Sequence, residues 1–356
     1  MQAIHQFLAG FTVGDAISNE SVVLQKIFAS WGMEANIFCE TFRTLARLRD
    51  MVKDVKTACS IVKPDDIAIL HLSIGSDVND IFAGLRCRKA IIYHNITPPH
   101  YFGFFNPNVA SLLARGIEQT KEMSTLQAIC MADSRYNAEE LEKYGYKNVQ
   151  VLPLILNFDL WKNINTRYMK KLKDGMVNVI FVGRIVPNKK IEDVILAFHY
   201  FQKWVKPNSR LILAGSYAGM ERYFYYLQAG IKKLGTENVI FTGMIPQDQL
   251  NACYAASSVF LCMSEHEGFC IPLLESMFHS VPVMAYSAAA VPETLDDSGI
   301  IFTRKDFSRI AEMIGILYDD ANLHNVIVKS QTARLQKFKE RNIESELRMF
   351  LSPLMQ

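Results

Sequence analysis

The 356-residue sequence predicts an α/β protein built from two doubly wound, Rossmann-like domains in tandem. Short apolar runs recur along the chain, each followed by a segment whose apolar residues return at helical spacing. The alternation is played through twice, on either side of an aperiodic stretch at 157–171. The length suits two ordinary cores.

In the first half, strands are predicted at 3–8, 35–39, 67–72, 90–93, 128–131 and 149–152, with helices at 18–31, 80–85, 109–120 and 137–144. The first helix shows its spacing at Val22, Leu24, Ile27 and Phe28 and stops at Gly32. In the second half, strands fall at 177–182, 210–214, 239–242, 258–263, 281–285 and 299–302, and helices at 191–204, 220–234, 247–256, 273–279 and 291–295. Strands joined through helices imply right-handed crossovers and mainly parallel sheets. The domains are placed at 1–157 and 158–337. From Phe307 the chain reads as helical to its end, and a final helix at about 338–356 is expected to return onto the first domain. Doubly wound domains hold ligands at the carboxyl ends of their strands. Two such crevices facing across a cleft suit transfer between two bound molecules.

Composition narrows the function. Half the residues are hydrophobic and 21% are charged, as in a globular chain. A net charge of +2 gives no whole-protein case for binding nucleic acid. The seven cysteines are scattered and never spaced C-x-x-C, which points to a reducing compartment and predicts no zinc site. No basic-apolar leader opens the sequence and no apolar run suits a membrane span, so a cytoplasmic protein is expected.

The most informative segment is Ser264-Glu265-His266-Glu267-Gly268-Phe269-Cys270-Ile271-Pro272-Leu273-Leu274-Glu275, which follows the apolar run ending at Met263. It reads as strand, glycine loop and helix, with Pro272 in the first helical turn. Gly268 admits close approach of a ligand, and a helix start favours an anion. Two carboxylates beside an anion site suit a ligand that carries both hydroxyls and phosphate, such as a nucleotide-sugar. Alternatively, Glu275 is a helix-start carboxylate and Glu267 a solvated loop residue.

The strand at 177–182 ends in Val182-Gly183-Arg184, and Lys189 is expected to begin the next helix. Arg184 and Lys189 then form a cationic pair apt for a diphosphate leaving group. A lysine at a helix start contributes little to folding, so Lys189→Ala is expected to leave stability intact.

Together, G-R-x-x-x-x-K from Gly183, Phe241-Thr242-Gly243-Met244-Ile245-Pro246 and the Glu267–Glu275 segment resemble the family-4 retaining glycosyltransferases of the GT-B fold. His5-Gln6-Phe7, Gly14-Asp15-Ala16-Ile17-Ser18-Asn19 and Tyr93-His94-Asn95-Ile96-Thr97-Pro98-Pro99 resemble a bacterial branch acting on polysaccharide intermediates. The resemblance implies that Arg184 and Lys189 bind the diphosphate. It places Glu267 at the donor-sugar hydroxyls and Glu275 at the ribose. Gly183, Gly268 and Phe269 fall in loops around sugar and phosphate, Met244 and Ile245 beside the base, and Gly14 near the diphosphate. Cys270 stands where the family's E-G-F-G has its second glycine, which bears on sugar selectivity.

His94, at a strand end, either satisfies local backbone or, as the resemblance implies, contacts the donor sugar. His71 shares this placement, and Asp15 either orients the acceptor or caps the following helix. Tyr101 and Phe102 open an aromatic loop that either plugs the core or stacks on a sugar or lipid-linked acceptor, with peripheral contact at the inner face of a membrane. The implied reaction moves a sugar, with retention, from a nucleotide-diphosphate donor (UDP first, GDP second) to a glycan or lipid-linked glycan. No cofactor or metal is expected, since no D-x-D triplet occurs. The alternatives are a sugar-nucleotide epimerase of similar fold and a non-catalytic nucleotide-sugar-binding subunit. No G-x-G-x-x-G follows any strand, which disfavours a dinucleotide dehydrogenase.

Overall fold

The computed structural model describes residues 2–356 and divides into two units. The first comprises the chain up to His100 together with Pro107–Asn157 and Asn342–Gln356; the second comprises Tyr101–Asn106 and Phe158–Arg341. Among the described residues no helix is long and apolar enough to cross a membrane.

The first unit holds a seven-stranded sheet of β1 (Ala3–Leu8), β2 (Glu34–Cys39), β3 (Lys53–Asp54), β4 (Ile67–Leu72), β5 (Arg88–Tyr93), β6 (Ala128–Ala132) and β7 (Gln150–Val151). Its order is β3-β2-β1-β4-β5-β6-β7 and every pairing is parallel. β1 and β4 are buried at every position, as strands covered on both faces must be, and they are mainly apolar, with His5, Gln6 and His71 as buried polar exceptions. The order reverses between β1 and β4, and that is where a doubly wound sheet opens a crevice. One face packs Ile4, Ile67, Ile69 and Ile92 with Leu24 and Phe28 of the helix Ala16–Ser30. Leu347 and Leu351 of the helix Ile343–Leu351 close the same cluster.

The second unit repeats the design with β8 (Val177–Val182), β9 (Ser209–Ala214), β10 (Val239–Gly243), β11 (Val259–Cys262), β12 (Val283–Tyr286) and β13 (Ile300–Phe302), in the order β10-β9-β8-β11-β12-β13. All pairings are again parallel and the reversal lies between β8 and β11.

Several expectations need correction. The aperiodic stretch 157–171 holds a helix that sequence did not show: Asn165 caps Thr166–Leu172 by accepting from Tyr168 N–H, and its own side chain donates to Asp248 at 2.9 Å. The helix expected over 191–204 is α-helical only over Ile191–Tyr200 and widens to a π turn at Phe201–Val205. From Phe307 there are three helices, Phe307–Asp319, Ala321–Lys339 and Ile343–Leu351, broken at the caps Asp320 and Asn342. Phe338, placed by sequence in the returning helix, stays with the second unit, its ring edge-on to Phe269 at 5.8 Å.

Candidate nucleotide-sugar site

The second unit brings its predicted residues to the carboxyl ends of β8 and β11. Three glycines clear the ground beside them. Gly183 N–H donates to Ala214 C=O at 2.9 Å, and Gly215 forms an isolated bridge with Gly243. A Cβ on Gly215, whose φ is +153°, would lie 1.9 Å from the Gly183 carbonyl oxygen. The strand tips can approach this closely only because position 215 lacks a side chain. Gly215→Ala is therefore expected to cost about 1–3 kcal/mol by overpacking. A urea midpoint equal to wild type would show that the tips are not held together this way. Sequence reasoning passed over Gly215; its signal was a glycine directly after a buried strand.

The turn after β8 carries Arg184 and Lys189. Arg184 is exposed at the strand tip. Lys189 does not begin the helix: it ends a 3-10 turn, Pro187–Lys189, and Lys190 at φ +52° redirects the backbone into the helix Ile191–Tyr200. The turn is stitched to the glycine loop, because Glu265 N–H donates to Asn188 C=O at 2.9 Å and the Asn188 amide donates to His266 C=O at 3.0 Å. This stitching brings Lys189 Nζ to 2.5 Å from Glu267 Oε2, with only 20% and 8% of the two side chains exposed. Burial alone would depress the Lys189 pKa; the Glu267 carboxylate more than reverses that and raises it. Glu267 is thus not a solvated loop residue.

Cys270 adopts a backbone conformation that glycine takes more readily. It has φ +71°, in the left-handed region, and it caps the helix Ile271–Phe278. The cost to a side chain there is about 1–2 kcal/mol. Phe269 is buried, and its carbonyl accepts from Thr294 Oγ1 at 2.5 Å. The Glu267 carbonyl accepts from Ala290 N–H at 3.2 Å, so the loop is fixed from a second side.

Glu275, in the second turn of this helix, accepts from Tyr254 Oη at 2.9 Å and from the side chain of Gln247. Burial pushes its pKa up to about 7 against those hydrogen bonds. Met244 stands 68% exposed after β10 with Ile245 half-buried beside it. Tyr101 and Phe102 belong to the second unit. Tyr101 Oη lies 3.3 Å from Glu265, which Lys305 also contacts at 2.8 Å. Phe102 is a core side chain and presents no stacking face; the exposed ring of the loop is Phe104.

The first unit holds the remaining candidates. Gly14 takes φ +74° in the turn before the helix Ala16–Ser30. Asp15 caps that helix, accepting from Ser18 N–H at 2.8 Å and Ser18 Oγ at 2.7 Å. Asp15 and His71 line one cavity of about 230 Å³ at the carboxyl ends of β1 and β4, together with Arg43 and Ser73.

His94 is buried in a hydrogen-bonded relay. Its Nδ1 lies 3.0 Å from Asp133 and its Nε2 lies 2.8 Å from His71 Nδ1; His71 Nε2 lies 2.9 Å from Gln6 Oε1. The Gln6 amide donates to Ser21 C=O at 2.9 Å. One proton shared between the two rings satisfies every link, and the carboxylates of Asp133 and Glu20 place it on His94, which then donates at both nitrogens while neutral His71 accepts at Nδ1 and donates at Nε2. Burial pulls the His94 pKa down, but Asp133, then Glu20 and Asp15, overcome it and raise it to about 9. Burial and the neighbouring cation hold His71 well below the usual histidine range. Since Asp133 and His71 occupy both its nitrogens, His94 offers none to a donor sugar in this arrangement.

Residues 165–334 match the family of glycosyl transferases group 1. That match lies within the second unit and covers just under half of the chain. Among curated proteins, the chain is 29% identical over 145 residues to O-antigen chain mannosyltransferase B of Escherichia coli, covering 40% of this chain and 37% of that one. It is 25% identical over 248 residues to N-acetyl-alpha-D-glucosaminyl L-malate synthase of Bacillus anthracis, covering 68% and 62%. The chain thus spans less than two thirds of these relatives. Among solved structures, HepE of Anabaena in complex with UDP and glucose superposes with a TM-score of 0.76 at 18% identity, over 99% of this chain and 100% of that one. This likeness establishes the GT-B fold.

Proposed function

We propose that the chain transfers a sugar from a nucleotide-diphosphate donor to a hydroxyl of a glycan or lipid-linked glycan. The observation that carries this reading is the contact of Lys189 with Glu267 at the reversal point of the second sheet, in the segment that matches the group 1 glycosyl transferases. In this reading Lys189 and Arg184 stabilise charge on the departing diphosphate. Glu267 accepts from donor-sugar hydroxyls and Glu275 from the ribose. Met244 and Ile245 lie beside the base, and Gly183, Gly268, Phe269 and Cys270 shape the sugar and phosphate pocket. UDP is the first choice of nucleotide, supported by the UDP bound to the similarly folded HepE, and GDP the second.

Retention would follow a front-face route in which a leaving phosphate oxygen takes the proton of the acceptor hydroxyl as the new glycosidic bond forms. Arg184 and Lys189 supply the positive charge at the diphosphate, so turnover is proposed to need no metal. Asp15 and the cavity it shares with His71 are proposed to receive the acceptor, at the inner face of a membrane when that acceptor is lipid-linked.

The test is calorimetric titration with UDP-, GDP- and ADP-glucose. Ribose hydroxyls donate to an ionised Glu275, so donor binding must draw off its proton. With a pKa of about 7 in the free protein, affinity is expected to rise about tenfold per pH unit up to pH 7 and then level off. A nucleotide-sugar carries no terminal phosphate that titrates in this range. Glu275→Gln should remove the pH dependence and weaken binding at pH 8 by about 1.5–3 kcal/mol. If no nucleotide-sugar binds, the reading fails. If donor binds with a pH profile shared by the variant, Glu275 does not hold the ribose.

A further inference from the structure

We propose that Cys262, Glu267 and Cys270 form a binding site for one thiophilic divalent cation of the zinc class. One sulfur atom from each cysteine and a carboxylate oxygen of Glu267 all lie within 4.8 Å of one another, and all three residues are buried. The two thiols are hydrogen-bonded to each other. A tetrahedral zinc ion holds sulfur at about 2.3 Å and carboxylate oxygen at about 2.0 Å, so its ligand atoms sit about 3.5–3.8 Å apart. The three atoms therefore need only a small contraction. Two sulfurs and one oxygen select zinc or cobalt over magnesium or calcium, which take oxygen ligands.

The local backbone favours capture. Cys262 is the last residue of β11 and Cys270 the residue before the helix Ile271–Phe278, so the rigid ends of two elements present the sulfurs. Glu267 lies on the loop between them, held by Ala290 N–H and by the stitching to Asn188. The spacing matches no familiar zinc motif, and sequence reading alone predicted no site. What assembles it is Cys270 in the left-handed position before the helix.

Charge balances as well. Without an ion, the cluster is Lys189 ammonium, Glu267 carboxylate and two neutral thiols, with no net charge. Binding forms two metal–sulfur bonds and one metal–oxygen bond, and two thiol protons pass to the buffer with no change of oxidation state. The bound cluster then holds a dication, two thiolates, a carboxylate and the Lys189 ammonium, again with no net charge. Lys189, which faces Glu267 and both thiols, must swing outward to make room for the ion and then serve as outer partner of the Glu267 carboxylate. A fourth position stays open for water. Coordination would draw Glu267 away from a donor sugar, so the ion is expected to inhibit the reaction proposed above. That consequence rests on that reading, whereas the binding does not.

The test uses the full chain stripped of metal and titrated with zinc against a chromophoric chelator, then with cobalt(II) followed by absorption. One equivalent of zinc should bind. Cobalt should give a thiolate-to-metal charge-transfer band in the near ultraviolet and the visible bands of tetrahedral cobalt. Cys262→Ser and Cys270→Gly should each abolish both cobalt signals; glycine at 270 suits the left-handed backbone and keeps the fold. Glu267→Gln should weaken zinc at least tenfold while preserving the thiolate band. Cys59→Ser, which removes an exposed cysteine elsewhere, should change nothing. Absence of the thiolate band in wild type, or its survival in either cysteine variant, would overturn the proposal. No substrate is present, so either result leaves the donor-site reading where calorimetry places it.

Discussion

Lys189→Ala is expected to destabilise the protein by about 3–5 kcal/mol, because it leaves the Glu267 carboxylate buried without its cation. Sequence alone predicts no such loss, because it places Lys189 at a helix start rather than in a core. The structure replaces that picture with a 3-10 turn stitched against the glycine loop. Two measurements separate the fold from the chemistry. Glu267→Gln in the same background removes the orphaned charge, so the double variant should recover most of the lost stability in a urea titration. Turnover should not return with it. If Lys189 stabilises charge on the departing diphosphate, both the single and the double variants should fall about 100- to 1,000-fold in kcat, with a smaller change in KM for the donor. Recovery of turnover along with stability would show that the pair is a structural ion pair and that the leaving group is served elsewhere. Unchanged stability in the single variant would mean that Glu267 finds another partner.

What could and could not be read from sequence follows from how each feature is encoded. The strands at 67–72 and 177–182 coincide with β4 and β8 because a strand buried on both faces is apolar at most positions, His71 and Asn178 being the hydrogen-bonded exceptions. β3 was missed because two residues, Lys53 and Asp54, carry no alternation to detect. The Glu267–Glu275 segment was legible as strand, loop and helix because Gly268 and Pro272 punctuate it. Its electrostatics were not, since the partners that set each carboxylate come from elsewhere in the chain. Lys189 meets Glu267 only because Asn188 ties two turns together, and Tyr254 reaches Glu275 from a different helix. The aromatic loop shows the same limit. Its composition could not decide between Phe102 as core and Phe104 as exposed ring, since both are phenylalanine and only packing separates them.

The buried histidine relay should make stability depend on pH in a direction that distinguishes its two members. His94 has a folded pKa of about 9 against an ordinary value of 6.5. Its contribution is therefore fully present below pH 6.5 and lost as pH rises through 9; a gap of this size corresponds to about 3 kcal/mol. His71 acts oppositely. Its folded pKa is lowered, so the unfolded chain takes up a proton that the folded chain refuses, and stability falls as pH drops below 6.5. Stability from the relay should thus peak near pH 6.5 and fall on either side. Against the burial that pulls His94 down, Asp133 does most to hold its proton, with a carboxylate oxygen 3.0 Å from Nδ1; Glu20, 3.6 Å from Nε2, and Asp15 add to it. Asp133→Asn keeps the shape and an acceptor oxygen but removes the charge. The variant should be less stable than wild type at pH 6.5 and lose far less between pH 6.5 and 9.5. Urea midpoints of both proteins at pH 6.5, 8 and 9.5 would measure it, with the many exposed groups that titrate in this range cancelling in the difference. Parallel profiles would mean that His94 is neutral in the folded protein and that the relay runs with the opposite set of donors.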